Sequence, residues 1–329
     1  MFIIENYSTA IFFCVITMLC WGSWANTQKL SPQWRFELFY WDYVIGIVLF
    51  TVLFGLTAGS VGDNGRAFAD DLRQGSTSNL ASAFLGGIIF NAANILLTAA
   101  IAIAGMSVAF PVGIGLALVI GVIVNYLGAP LGNPFVLFSG VLCIVLAIGL
   151  NAYAFQKNAA RKNTSTKGLL LSVVSGCMMG LFYKYVAGAM ASDFSNPEPL
   201  KLTPYSALFV FSLGVFASNF VFNSLLMKFP ISGSPVSAFD YFHGRLTNHW
   251  VGILGGLIWS MGMSFSILAS EKAGPAISYG LGQGATVVAA LWGIYVWKEF
   301  KGSSPLVQKL VNAMLAFYIG GLMMIIISR

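Results

Sequence analysis

Long unbroken apolar runs, each closed by a short polar stretch, divide the chain from one end to the other. Each run reaches about 20 residues, the length an α-helix needs to cross roughly 30 Å of hydrocarbon. They predict ten transmembrane helices, at 8–28, 37–58, 80–103, 106–127, 135–155, 168–190, 205–227, 250–270, 275–297 and 308–327. Inside a bilayer the backbone must satisfy its own hydrogen bonds, and runs this long and uniformly apolar do not suit barrel strands. The expected class is an all-α membrane protein. Composition agrees, since 57% of the 329 residues are hydrophobic and 9% charged, where a soluble domain has about a quarter charged.

The chain also matches itself. Slid along its own length until Leu85, Gly86 and Gly87 fall on Leu254, Gly255 and Gly256, it places Phe90 on Trp259, and Ala104 and Gly105 on Ala273 and Gly274. The same ungapped register pairs Phe110 with Tyr279, Gly113 with Gly282, Gly115 with Gly284 and Tyr126 with Tyr295. A second register pairs Gly22 with Gly180 and Trp24 with Phe182. Two halves of five spans follow, 1–160 and 161–329, within one integral-membrane transport domain. Five is odd, so the second half enters from the opposite side, and the expected architecture is a 5+5 inverted repeat. Such halves rock around a central site, which points to a carrier working by alternating access. Small residues four apart, as at Gly176 and Gly180 or Gly252 and Gly256, add close helix packing.

Charge sets the orientation. With the N-terminus outside, eleven basic residues fall on the inner side, among them Lys157, Arg161, Lys162 and Lys167, against five outside. This is the positive-inside bias, so both termini are expected outside and the 156–167 stretch in the cytoplasm, of the inner membrane if the cell is bacterial. The net charge of +6 is thus a matter of topology and implies no nucleic-acid partner. The first apolar run follows Glu5 with no Lys or Arg before it, so it is expected to remain as a span. Cys14, Cys20, Cys143 and Cys177 fall within spans without CxxC spacing, which indicates neither disulfides nor a zinc site.

HExxH, GxSxG and Walker signatures are absent from the sequence. The expectation is a secondary transporter, not an enzyme, with no cofactor or metal and with energy drawn from a gradient. Ionisable residues within spans are costly and each is a functional candidate. Asp42, about one turn into span 2, is either a proton-coupling carboxylate or an interfacial helix-start residue. Lys184, past the midplane of span 6, either faces a solute cavity or snorkels to the interface. For the solute itself the candidates are Trp21, Trp24 and Asn26 on span 1, Asn91 and Asn94 on span 3, Tyr183 on span 6, Trp259 on span 8, and Gln283 and Thr286 on span 9. Aromatic planes with amide donors and acceptors suit a sugar ring or a planar ureide, and the alternative for each amide is a contact between helices.

The cores Leu85–Leu131 and Leu254–Gly302, with Gly105-Met106-Ser107 after span 3, resemble the drug/metabolite transporter superfamily. Within it the chain is similar to bacterial L-rhamnose/proton symporters and glucose/ribose porters, and to plant ureide permeases. Glu5, Gly22 to Trp24, Asp42-Tyr43, Trp292-Gly293, Glu299 and Gly302-Ser303-Ser304 resemble the ureide permeases most. The short central loop departs from their longer one. The resemblance implies proton-coupled uptake of a small neutral polar solute. A monosaccharide of the rhamnose, ribose or glucose type leads, with a ureide or nucleobase of the allantoin or uracil type as the alternative. From another class, the alternative is a non-transporting receptor or scaffold. The expected partners are the solute, a proton and the lipid bilayer.

Overall fold

The computed structural model describes residues 1–104, 106–158, 166–231, 233–298 and 301–329. Gly105, Arg161, Lys162 and Glu299, which entered the sequence argument, lie outside the described residues.

The chain runs through α1 (Tyr7–Ser23), α2 (Phe36–Leu56), the short α3 (Phe68–Gln74), α4 (Thr77–Ala104), α5 (Met106–Gly128) and α6 (Pro134–Asn158). It continues through α7 (Thr166–Ala189), α8 (Pro204–Lys228), the five-residue α9 (Ala238–Phe242), α10 (Leu246–Ala273), α11 (Pro275–Gly282), α12 (Ala285–Leu291) and α13 (Pro305–Ile327). Nine spans among the described residues are long and apolar enough to cross a membrane, counting Tyr7–Leu30 and Pro275–Val296 as one each. The shorter apolar stretch Val112–Gly128 of α5 stands where the fourth span, 106–127, was expected.

Two expected spans depart from plain α-helix. After Ser23 the first tightens into a 3₁₀ segment, Trp24–Leu30. The amide of Asn26 donates to the Ser23 carbonyl at 3.2 Å and the hydroxyl of Thr27 to the Trp24 carbonyl at 2.7 Å, so side chains compete for carbonyls that a helix would use. The ninth span, expected as one helix over 275–297, is broken into α11, α12 and a π-turn at Trp292–Val296. Gly282 and Gly284 flank the break at Gln283, and glycine weakens a helix interior. There the backbone switches to tighter bonds between residues three apart, Gly284 N–H to the Leu281 carbonyl and Val287 N–H to the Gly284 carbonyl.

Packing repeats in step with the internal match. α4 and α10 are both 28 residues long, and their first residues, Thr77 and Leu246, fall on one another in the register that pairs Leu85 with Leu254. α4 packs on α7 and α8, while α10 packs on α1 and α2, and α5 lies on α7 as α11 and α12 lie on α1. Glycine contacts follow the same scheme. A Cβ on Gly256 of α10 would lie 2.0 Å from the Tyr43 carbonyl oxygen, and its Cα neighbour on α2 is Gly46. A Cβ on Gly87 of α4 would lie 2.1 Å from the Phe211 carbonyl oxygen, beside Gly214 of α8. At both crossings the backbones touch, which only glycine allows. α6 and α13 pair at the side of the bundle.

Candidate functional site

A cavity of about 130 Å³ lies among α1, α4, α5, α7, α10 and the broken α11–α12 span. Its walls are chiefly aromatic: Trp21, Trp24, Phe90, Phe182 and Trp259. Trp259 stacks on Trp21 at 5.9 Å with 13° between planes and meets Phe90 at 4.4 Å. The Trp21 indole N–H donates to the Trp259 carbonyl at 3.2 Å, so this pair is fixed in place. An engineered apolar cavity of about 150 Å³ takes up a benzene ring, so the size class here is one small ring.

Polar groups enter from two places. Asn94 comes from α4, and Gln283 and Thr286 come from the break between α11 and α12. The Thr286 hydroxyl is used on the Gln283 carbonyl at 3.0 Å. The Gln283 carboxamide makes no hydrogen bond among the described residues, and the same holds for the Trp24 indole N–H and Asn94 Oδ1. These groups sit in an apolar wall without partners, and an unpartnered polar group in such a place is costly unless a ligand or water pairs with it.

The lining follows the internal match. Phe90 and Trp259 are equivalent in the first register, as are Ile114 and Gln283. Trp21 and Met179, and Trp24 and Phe182, are equivalent in the second. All four pairs line the one cavity. Within the pairs the polar or larger aromatic member alternates, so the walls correspond in position and differ in chemistry.

Of the residues singled out in the sequence, Trp21, Trp24, Asn94, Trp259, Gln283 and Thr286 are brought together here. The others are placed elsewhere. Asn91 lies behind the wall: its Oδ1 accepts from the Tyr40 hydroxyl at 2.8 Å and its Nδ2 donates to Ser218 at 2.9 Å. Tyr183 is fully buried against Ser266 and Ser278. Asn26 Oδ1 accepts from the Trp297 indole at 2.7 Å, tying the 3₁₀ segment to the end of the ninth span. Lys184 is exposed on α7 and does not line this cavity, one step along the helix from buried Tyr183, a placement that fits the snorkelling alternative.

Asp42 also stands away from the cavity, in a cluster the sequence did not announce. Its carboxylate is 1% exposed and accepts from the Trp34 indole at 3.0 Å, the Tyr241 hydroxyl at 2.6 Å and His249 Nδ1 at 2.9 Å. The donors come from the segment before α2, from α9 and from the first turn of α10. Burial, and then the Asp42 carboxylate beside it, pushes the Tyr241 hydroxyl above its ordinary range, so it remains a donor. Close packing holds the cluster, since a Cβ on Gly252 would lie 2.3 Å from Asp42 Cβ. Nothing in the local sequence signalled it, because Tyr241 and His249 belong to the far half of the chain.

Comparison with known proteins adds the family. The ureide permease family model matches residues 39–167 and 161–328, its two segments meeting at the central stretch. Ureide permease 1 of Arabidopsis thaliana is 25% identical, over 97% of this chain and 96% of that protein. Ureide permease 2 of the same plant is 23% identical over 100% and 99%, and the probable ureide permease A3 of Vigna unguiculata 22% over 83% and 91%. A crystal structure of another protein superimposes with a TM-score of 0.63 at 15% identity, covering 97% of this chain and 96% of that one, which speaks for the fold alone. The relatives are permeases, in line with a carrier and not an enzyme. They support the ureide alternative and not the monosaccharide reading that led the sequence argument.

Proposed function

The chain belongs to the ureide permease family, a family of multi-pass membrane transporters, and from that premise we propose that it carries a small neutral ureide-like solute in the aromatic cavity between its halves. The observation that carries this reading is the pairing of stacked tryptophans with polar groups left unpartnered, the Gln283 carboxamide and Asn94 Oδ1. A ureide is a compact, nearly planar group whose faces are apolar in character and whose edge alternates N–H donors with carbonyl acceptors. Trp24 and Trp259 offer planes to its faces, and a carboxamide offers one donor and one acceptor side to its edge. A monosaccharide has no planar face and needs many more polar partners than this wall supplies.

The halves 1–160 and 161–329 are read as an inverted repeat that rocks around the cavity. The support is the correspondence of the lining pairs, of the helix contacts and of the two glycine crossings. Both termini lie outside and the 156–167 stretch in the cytoplasm, on the strength of the basic asymmetry.

Asp42 is assigned to proton coupling. An ionised carboxylate accepts from all three of Trp34, Tyr241 and His249, whereas a protonated one accepts more weakly and brings an O–H into a ring of donors, so a proton arriving there loosens α9 and the start of α10 from α2. The test of the substrate reading is a thermal-shift screen of purified protein against allantoin, uracil, rhamnose, ribose and glucose. A bound ligand stabilises by RT ln(1 + [L]/Kd), so the ureide or nucleobase should raise Tm and the sugars should not. Sugars alone raising it would return the monosaccharide.

A further inference from the structure

A chain of four buried polar groups leads from α8 to the cavity wall. Asn91 Nδ2 donates to the Val215 carbonyl at 3.3 Å and to the Ser218 hydroxyl at 2.9 Å. Asn91 Oδ1 accepts from the Tyr40 hydroxyl at 2.8 Å, and the Tyr40 oxygen accepts from Asn94 Nδ2 at 3.1 Å. Tyr40 and Asn91 are fully buried, and Asn94 is 8% exposed at the cavity.

The polarity of this chain is dictated at its far end. A backbone carbonyl has no proton to give, so the group Asn91 turns toward Val215 must be its NH₂. Ser218 imposes the same condition, because its own proton is committed to the Gly214 carbonyl at 2.8 Å, leaving it an acceptor for Asn91. Asn91 Oδ1 then faces Tyr40, which must donate its only proton to it. Tyr40 therefore can only accept from Asn94, and Asn94 must present its NH₂ to Tyr40. The remaining end of Asn94, Oδ1, is the one with no partner among the described residues, on a side chain that lines the cavity.

We infer that Tyr40, Asn91 and Ser218 lock the Asn94 amide with its NH₂ held on Tyr40 and its oxygen left free, so that Asn94 meets the solute through an acceptor and is a specificity-determining residue that favours a donor group there. An unrestrained amide flips to suit either edge of a ligand. This one cannot flip without turning its carbonyl oxygen toward a hydroxyl whose proton is already spent on Asn91, which sets two acceptors against each other in a buried place. Gln283, across the cavity, has no such restraint and adapts to whichever edge it meets. The site is thus selective at one wall and permissive at the other. Tyr40, Asn91 and Ser218 touch no solute and are positioning residues. The inference rests on the ureide reading for its ligand, whose N–H groups are the donors that Asn94 favours.

The experiment has a ligand-free arm and a ligand arm. In the first, Tm is measured for Tyr40→Phe, Asn91→Leu and the double variant of the full chain. A locked chain makes the two losses strongly non-additive, because breaking it once already leaves both neighbours unpaired. Additive losses overturn the relay whatever the solute. In the second, binding of uracil, 5-methyluracil and 1,3-dimethyluracil is compared by thermal shift, the methyl on carbon controlling for size. Wild type should bind the first two and reject the dimethylated ring by about tenfold or more, the equivalent of one lost hydrogen bond. Tyr40→Phe, which frees Asn94 to flip, should bring that ratio close to one while uracil still binds. A ratio unchanged in Tyr40→Phe overturns the inference. Coupled stabilities with no binding of any uracil or of allantoin would sustain the relay and defeat the ureide reading instead.

Discussion

Phe90 on α4 and Trp259 on α10 are paired by the internal sequence match, lie on helices of equal length, and have ring centroids 4.4 Å apart in the cavity. Residues related by an internal match usually occupy separate copies of an environment. Here they meet in one cavity wall. A solute bound there touches both rings at once, as the proposed rocking of two halves around the cavity requires. Removing the shared wall should therefore affect the site more than the scaffold. Trp259→Ala is expected to weaken ureide binding by about 1–3 kcal/mol through lost stacking area, read by titration calorimetry or thermal shift.

Gln283 is predicted to matter through its free amide. Gln283→Leu keeps volume and removes both polar ends, so binding should fall by about 1–3 kcal/mol while ligand-free Tm stays level or rises. Lys184→Ala should leave affinity unchanged, since the side chain is exposed on α7 away from the cavity. Binding isotherms of the two variants beside wild type decide both.

The spans, their order and most of the aromatic wall were legible in the sequence, and the azimuth of each polar side chain was not. In a soluble helix the apolar stripe tells which face is inside. Here lipid and core are both apolar, so the sequence around Asn91 and Asn94 is uniform on every side. Their spacing placed them near one face but left open which lined the cavity and which stood behind it. Tyr183 and Asn26 went the same way, each taken up by partners from distant spans. The break at Gln283 was more accessible, because glycines on both sides of a midspan amide are a sign of interrupted helix. Trp34, Tyr241 and His249 around Asp42 were hidden because their approach to it is made only by the folded chain.

The two glycine crossings give a stability prediction. Gly256→Ala and Gly87→Ala place a methyl 2.0 Å and 2.1 Å from a carbonyl oxygen. Backbones must separate to admit it, at about 1–3 kcal/mol each. Gly149→Ala and Gly320→Ala, where a Cβ meets nothing within 4 Å, should be neutral or slightly stabilising. Tm values of the four purified variants in one detergent make the comparison, and equal losses in all four would remove the close crossings from the account.

Orientation is predicted from charge and is open to labelling. A single cysteine placed in the 156–167 stretch of a cysteine-free variant should resist an impermeant maleimide in intact cells and react after permeabilisation. Ready reaction in intact cells would invert the topology.

Asp42→Asn removes titration and leaves one acceptor where three donors converge. Uptake against a concentration gradient should fail under an imposed pH gradient, while exchange at equal concentrations continues. His249→Ala should weaken the coupling less, since Trp34 and Tyr241 still hold the carboxylate. Accumulation by the Asn variant equal to wild type would leave Asp42 a structural tie between α2, α9 and α10.

The central claim is that the Gln283 and Asn94 cavity carries a ureide-like solute across the membrane, and counterflow tests it most directly. Proteoliposomes loaded with unlabelled allantoin should take up external labelled allantoin transiently above equilibrium, with the overshoot lost in Gln283→Leu and unaffected by excess external glucose, ribose or rhamnose. Uptake no faster than in protein-free liposomes for allantoin and uracil alike, or an overshoot that monosaccharides abolish and Gln283→Leu leaves intact, would contradict it.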